Sequence, residues 1–368
     1  MKPQAIAATG PNNFDFLRFF FASLVILSHS FPLGTGNEDA EPLLRFTNGQ
    51  MTFGSLAVDC FFIISGFLIS QSWKNRPAPR AFLEKRVRRI YPGFIVATLI
   101  GAFVITPLFS MHGASGITPE FVLRYAGRAL RLLETVPSTA FETNPARDVI
   151  NGSLWSISYE FWCYVGVMAC GLMGLFRRPN WLAAGLAGAI GISFGFAFTR
   201  WTPGGSWLGV VFGYPPFWAR LLPYFLVGMV FFAFRARVPL NNFGAAIAGA
   251  VFVAGAKLPH GMIFCLPLAA AYLIFWFAYL PVPRLHRFGQ HGDYSYGIYL
   301  YAFPIQQMVV HAQGAVPMNP YALFAIAWPL SVAAGAASWW WVERRWVMGA
   351  KRPASADSTS PHRAAEPG

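Results

Sequence analysis

Two ionisable side chains, Arg18 and His29, sit inside one apolar run, FDFLRFFFASLVILSHSFPL, with ten residues between them. Inside a membrane-length apolar run, a charge costs several kcal/mol unless it is paired or hydrated, so it is a functional candidate by default. On a helix, eleven residues come within about 20° of three full turns and rise about 16 Å, which places both groups on one stripe. One helix then offers a cation towards one end and an acid/base group towards the other. The plainer alternative is an Arg18 that reaches the lipid headgroups and a His29 hydrogen-bonded in the core. Asp59 and Glu160 enter two further apolar runs at depths similar to His29. A carboxylate beside an imidazole fixes its tautomer and stabilises its cation, as a general base requires. Either carboxylate could instead pair with an arginine, and spacing alone does not choose. Ser156 precedes Glu160 by four residues and Ser153 by three more. Such spacing shares a helix face, so these hydroxyls could orient the carboxylate or a sugar. Helix-packing serines have the same spacing. Arg86 and Arg89, three apart, could grip phosphates and form a basic funnel with Arg18.

The elements that position these groups must be membrane helices. The chain has 368 residues, 55% hydrophobic and 12% charged, against about 25% charged in soluble domains. A span takes about 20 apolar residues. Ten runs qualify: 14–33, 54–73, 91–110, 154–175, 181–199, 217–234, 242–257, 261–280, 293–311 and 320–342. With the N-terminus cytoplasmic, 19 of the 28 Lys and Arg fall on the cytoplasmic side and eight outside. That asymmetry predicts an all-α integral membrane protein of ten helices with both termini cytoplasmic. The first run lacks a small-residue cleavage site and is expected to stay as a helix. The net charge of +13 is read as topology-setting loop charge, without nucleic-acid binding. Cys60, Cys163, Cys170 and Cys265 lie in apolar runs without metal spacing and read as small buried hydrophobes. No metal site is expected.

Residues 1–13 read as a cytoplasmic segment, 14–345 as one transmembrane domain, and 346–368 as a cytoplasmic tail, disordered by its Pro, Ser and Ala content. The basic loop 74–90 (KNRPAPRAFLEKRVRRI) fits a topology anchor and a polyphosphate site equally well. In the long loop 111–153, Thr118 and Pro119 open a predicted helix over 119–135. Arg124, Arg128 and Arg131 lie on one side of it, with Val122, Ala126, Ala129 and Leu133 on the other, as in an interfacial helix. It could serve as a lid over an external substrate.

Taken in order, these segments resemble the membrane-bound acyltransferase-3 family, which acylates cell-surface polysaccharides and related glycans. Arg18 and His29 match its Arg–ten residues–His signature. VDCFFIISGFLIS (58–70) is similar to its second-helix motif, with a Gly66-Phe67 turn. FLEKRVRRIYP matches its Arg-x-x-Arg segment through Arg86 and Arg89, followed by Tyr91-Pro92. GSLWSISYEFW matches its Ser-Leu-Trp-Ser…Glu segment through Ser153, Trp155, Ser156 and Glu160. DYSYGIYLYAFPI (293–305) is similar to its late Tyr-Ser segment. Ala302 stands where members often carry a histidine, which leaves substrate choice open.

The resemblance implies an acyl-CoA donor, most simply acetyl-CoA, arriving from the cytoplasm, with its phosphates at Arg18, Arg86 and Arg89. His29 would be the general base, oriented by Glu160 or Asp59; a transient acyl-enzyme is the variant. Ser153, Trp155, Ser156 and Tyr159 would meet the acceptor, a carbohydrate hydroxyl of an O-antigen, exopolysaccharide or similar glycan. The setting implied is the lipid bilayer of a bacterial inner membrane. No cofactor would be held permanently. A secondary transporter of a small polar solute is a competing reading, but it predicts internal repeats with broken helices, which are not seen. A non-catalytic scaffold predicts that Arg18 and His29 are dispensable.

Overall fold

The computed structural model describes residues 10–133, 140–199, 212–314 and 316–349. Ten long helices among them overlap the ten apolar runs, but the third starts at Pro79 rather than 91, so the expected loop 74–90 is helical from Pro79 on. They are α1 (Phe14–Thr35), α2 (Phe53–Asn75), α3 (Pro79–Ile100), α4 (Trp155–Leu172), α5 (Pro179–Thr199), α6 (Pro215–Phe234), α7 (Asn242–Lys257), α8 (Gly261–Ala278), α9 (Ser295–Ala312) and α10 (Pro320–Ser338). π-helical turns carry α3 on through Gly101–Ile105 to Phe109, and α10 through Trp339–Glu343 to Met348. Seven are long and apolar enough to cross a membrane: α1, α2, α5, α6, α8 and the extended α3 and α10. The 16 residues of α7 rise only about 24 Å, short of a hydrocarbon core of about 30 Å. α4 and α9 have 18 residues each and dilute their apolar content with Ser156 and Glu160, and with Gln306 and Gln307. The predicted disordered tail lies outside the described residues from 350 on, as do residues 1–9 of the N-terminal segment.

Prolines inside these helices do structural work through the carbonyls they release. Proline has no N–H, so the carbonyl four residues earlier loses its helical partner, and a buried carbonyl needs another. In α9, Pro304 releases the Leu300 carbonyl, which accepts from Asn151 Nδ2 at 2.7 Å. In α6, Pro223 releases the Ala219 carbonyl, which accepts from the Ser193 hydroxyl of α5. The first bond holds the start of α4 against mid-α9, because Asn151 Oδ1 also accepts from the Ser153 amide. Loop 140–153 is further fastened to α9 by Asn144 and Gln307: Asn144 Nδ2 donates to Gln307 Oε1 at 2.8 Å, and Gln307 Nε2 donates to the carbonyls of Ala146 and Val149. These bonds tie the end of the long loop to α9.

Gly66 is not at a turn. It lies mid-way along the unbroken helix α2, where a Cβ would stand 2.1 Å from the Phe225 carbonyl oxygen of α6. Gly228 in α6 meets the Ile63 carbonyl in the same way. Glycines here let two helix backbones touch, the usual way of packing membrane helices. α1 packs between α2 on one side and α9 and α10 on the other, which turns its Arg18–His29 stripe inward. The loop helix forms over Pro119–Leu130, with Thr118 Oγ1 accepting from the Phe121 amide at 3.2 Å. Its rotation differs from the expectation: Tyr125 is buried while Val122 and Ala126 are exposed. Tyr125 faces Gly101, at the π turn of α3, and this contact rather than the apolar stripe sets the rotation. Residues 134–135 of the expected helix lie outside the described residues.

Candidate active site

Two cavities lie along the inward stripe of α1. The larger, about 460 Å³, has a basic rim of Arg18, Arg76, Lys85, Arg86, Arg88 and Arg89 and reaches inward to Ser65, Ser156, Glu160 and Tyr299. The smaller, about 170 Å³, holds His29 with Ser28, Glu38, Ser55, Trp155, Arg220 and Tyr299. A helical stripe that runs from Arg18 to His29 therefore borders a different cavity at each end.

The expected trio of phosphate-binding arginines is divided by its ion pairs. Arg18 Nη1 stands 3.2 Å from Asp293 Oδ2 and 3.6 Å from Asp15 Oδ1. Arg89 Nη2 is 2.5 Å from the same Asp293 oxygen, and its Nη1 is 3.3 Å from Glu343 Oε2. The π turn of α10 buries Glu343, 1% exposed, with the Ser338 hydroxyl donating to its other oxygen at 2.9 Å. Asp293 lies just ahead of α9. Burial alone would raise its carboxyl; Arg89, Arg18 and the hydrogen bonds from Ser295 outweigh that and hold it below the usual carboxylate range. Arg86 differs. Among the described residues no carboxylate is within ion-pair distance of it. Its Nη2 donates to Ser72 Oγ at 3.1 Å, its guanidinium lies over the rings of Phe82 and Tyr164, and its buried Nε has no partner. Arg86 thus brings to the cavity a planar cation with no ion-pair partner among the described residues.

The carboxylates do not gather round His29. Glu160 Oε1 accepts from the Ser65 hydroxyl and the Tyr164 phenol, each at 2.6 Å, and faces the Arg86 cavity. Asp59, 1% exposed, accepts from Arg220 Nη2 at 3.1 Å. Its pairing takes the arginine alternative left open by the sequence. His29 Nδ1 is buried without a hydrogen-bond partner, and its ring stands edge-on to Phe303 at 5.2 Å. Where a histidine was looked for, Ala302 packs against Ala22, Ile26 and Ile298, so this place is apolar core.

The α4 motif divides as well. The Tyr299 hydroxyl donates to the Ser153 carbonyl at 2.6 Å and lies 2.7 Å from Ser156 Oγ. Its single proton is then spent on the carbonyl, so Ser156 donates to it. Trp155 stacks on Phe217 at 4.4 Å, lies under Arg220 and lines the His29 cavity. Tyr159 turns away: its hydroxyl accepts from the Tyr214 amide at 2.6 Å. It braces the start of α6 and lines neither cavity. Sequence reasoning missed Asp293, Glu343, Arg220 and Tyr299. Asp293, Glu343 and Arg220 did carry a signal, because each is an ionisable residue at the edge of an apolar run. Among the described residues, no three His, Cys, Asp or Glu side chains gather as metal ligands would.

The acyltransferase-3 family model, described as an acyltransferase domain, matches residues 12–343. The chain belongs to this family. It is an acyltransferase and therefore an enzyme, which sets aside the transporter and scaffold readings. It is 26% identical over 314 residues to an O-acetyl transferase of Shigella phage Sf6, covering 82% of this chain and 86% of that protein. It is 27% identical over 357 residues to nodulation protein 10 of Rhizobium leguminosarum bv. viciae, covering 87% and 91%. It is also 28% identical over 301 residues to the exopolysaccharide production protein ExoZ of Rhizobium meliloti strain 1021, covering 76% and 85%. No solved structure matches the chain.

Proposed function

We propose that this protein carries an acyl group, most simply acetyl, from cytoplasmic acyl-CoA through a bacterial inner membrane onto a hydroxyl of an extracytoplasmic glycan. Its ten long helices then all cross or enter the bilayer, with both termini cytoplasmic, so that the Arg86 end faces the cytoplasm and the His29 end faces outward. The observation that carries this reading is the pair of cavities on one α1 stripe, one rimmed with cations that include Arg86, the other holding His29. Phosphates favour a bidentate guanidinium, and the apolar walls beyond it suit a pantetheine arm. The names of relatives, an O-acetyl transferase and an exopolysaccharide production protein, support an acetyl donor and a glycan acceptor.

In the step proposed, a glycan hydroxyl reaches His29 from outside. His29 takes the hydroxyl proton as the oxygen bonds to the acyl carbon. The C–S bond of the thioester breaks, and the CoA thiolate leaves and takes up a proton. Glu160 shares the chamber of the donor and is assigned to its alignment. Arg220, anchored by Asp59, and Trp155 line the acceptor side. Ser156 lines the donor chamber and also holds Tyr299, Ser153 acts through Tyr299, and Tyr159 is structural. Among the described residues no side chain hydrogen-bonds His29 Nδ1, and Glu38 is the carboxylate that lines its chamber.

The test is acetyl-CoA binding and slow CoA release by the purified full-length protein in nanodiscs. The reading expects Arg86→Ala to lose binding and His29→Ala to keep binding but lose release. A folded wild-type protein that does not bind acetyl-CoA would end it.

A further inference from the structure

The two cavities share two lining residues, Val58 of α2 and Tyr299 of α9. An acyl group that starts beyond Arg86 and finishes at His29 must pass between them. Both walls are stiff. Val58 is β-branched, and in a helix such a side chain keeps essentially one rotamer. The Tyr299 ring is held at its hydroxyl by the Ser153 carbonyl and Ser156, and on its flank by Phe61 at 6.3 Å between centroids. The chamber beyond is about 170 Å³, against about 460 Å³ on the near side. A long chain therefore fits before the constriction and is crowded after it.

We propose that the Val58–Tyr299 constriction sets acyl-chain length, passing acetyl to His29 and holding back longer chains. This rests on the functional reading above and deepens it by naming which acyl group is used. Ser153 and Ser156 then act as positioning residues that hold Tyr299 as a wall. Each methylene admitted or refused by an apolar site changes rates by about 10–200-fold, so trimming one wall should be easy to read.

The experiment measures CoA release from acetyl-, butyryl- and hexanoyl-CoA by full-length wild type, Val58→Ala, Val58→Ile and Tyr299→Phe in nanodiscs, with acetyl-CoA binding measured alongside. Wild type is expected to favour acetyl. Val58→Ala should raise the butyryl-to-acetyl ratio by about tenfold or more. Tyr299→Phe keeps the ring but frees it, and should shift the ratio in the same direction by less. Val58→Ile, which adds one methylene, should lower the ratio, and this variant decides the matter if Val58→Ala does not fold. An unchanged ratio in variants that still bind and consume acetyl-CoA overturns the constriction while leaving the acyltransferase reading intact. A wild type that binds no acyl-CoA, or binds it and releases no CoA, overturns both.

Discussion

The Arg86 end and the His29 end of the molecule are built on opposite electrostatic plans. At the first, Arg18 and Arg89 are held by Asp293 and Glu343 in one connected cluster, while Arg86, with no ion-pair partner among the described residues, faces the cavity that Glu160 also lines. At the second, one ion pair, Asp59–Arg220, stands beside a histidine with an unpartnered nitrogen. Buried arginines that repel one another need carboxylates to stay buried, so a polyanion site there must reserve a cation rather than simply add more. A site for proton transfer needs the reverse: one neutral base, few fixed charges and room for the acceptor. The comparison separates binding from chemistry along a single helix face.

Four substitutions test that separation. The largest effect belongs to His29→Ala, which should lower acyl transfer about 10²–10⁴-fold, the range of general-base catalysis, with acetyl-CoA affinity unchanged. Equal loss of affinity would place the base in the donor chamber and collapse the comparison. Asp293→Ala should act on stability instead. It leaves Arg18 and Arg89 short of a partner, and breaking a buried pair costs about 3–5 kcal/mol, to be read as a fall in unfolding temperature in detergent. An unfolding temperature that stays put would show the cluster to be hydrated and its pairing weak. Arg86→Ala should give the complementary result. Hydrogen bonds to charged groups contribute about 1.5–3 kcal/mol, so acetyl-CoA should bind at least tenfold more weakly while thermal unfolding barely moves. The smallest effect is expected for Glu160→Gln. Since Glu160 bonds Ser65 and Tyr164 and not His29, the KM for acyl-CoA should rise a few-fold while the pH profile of kcat keeps its position. A displaced profile would restore Glu160 as the orienter of His29.

Much of this architecture could be read from residue order. The ten apolar runs lie in ten helices, and the seven long and apolar enough to cross a membrane have no other way there to satisfy their backbones. The Arg18–His29 stripe followed from helical period alone. Thr118 and Pro119 start their helix because capping is local chemistry. Elsewhere, local signals were too weak. Gly66 looked like a turn, and its real partner, the α6 backbone, is about 160 residues away along the chain. The Val122–Ala126 face lost to Tyr125 because the rotation of a short helix is set by what it lands on.

The helical class, the places of the long helices, the shared stripe of Arg18 and His29 and the concentration of cations near one end were legible in residue order, since each depends on residues close together in the chain. Which charges neutralise one another was settled by the packing of the helices. Arg18, Arg89, Asp293 and Glu343 come from four separate elements, as do Asp59 and Arg220 from two. Electrostatic pairing depends on distances of a few ångströms across helices, and such distances have no counterpart in spacing along the chain. The same reason withheld the Val58–Tyr299 constriction, where two unremarkable side chains gain a role because two helices bring them together.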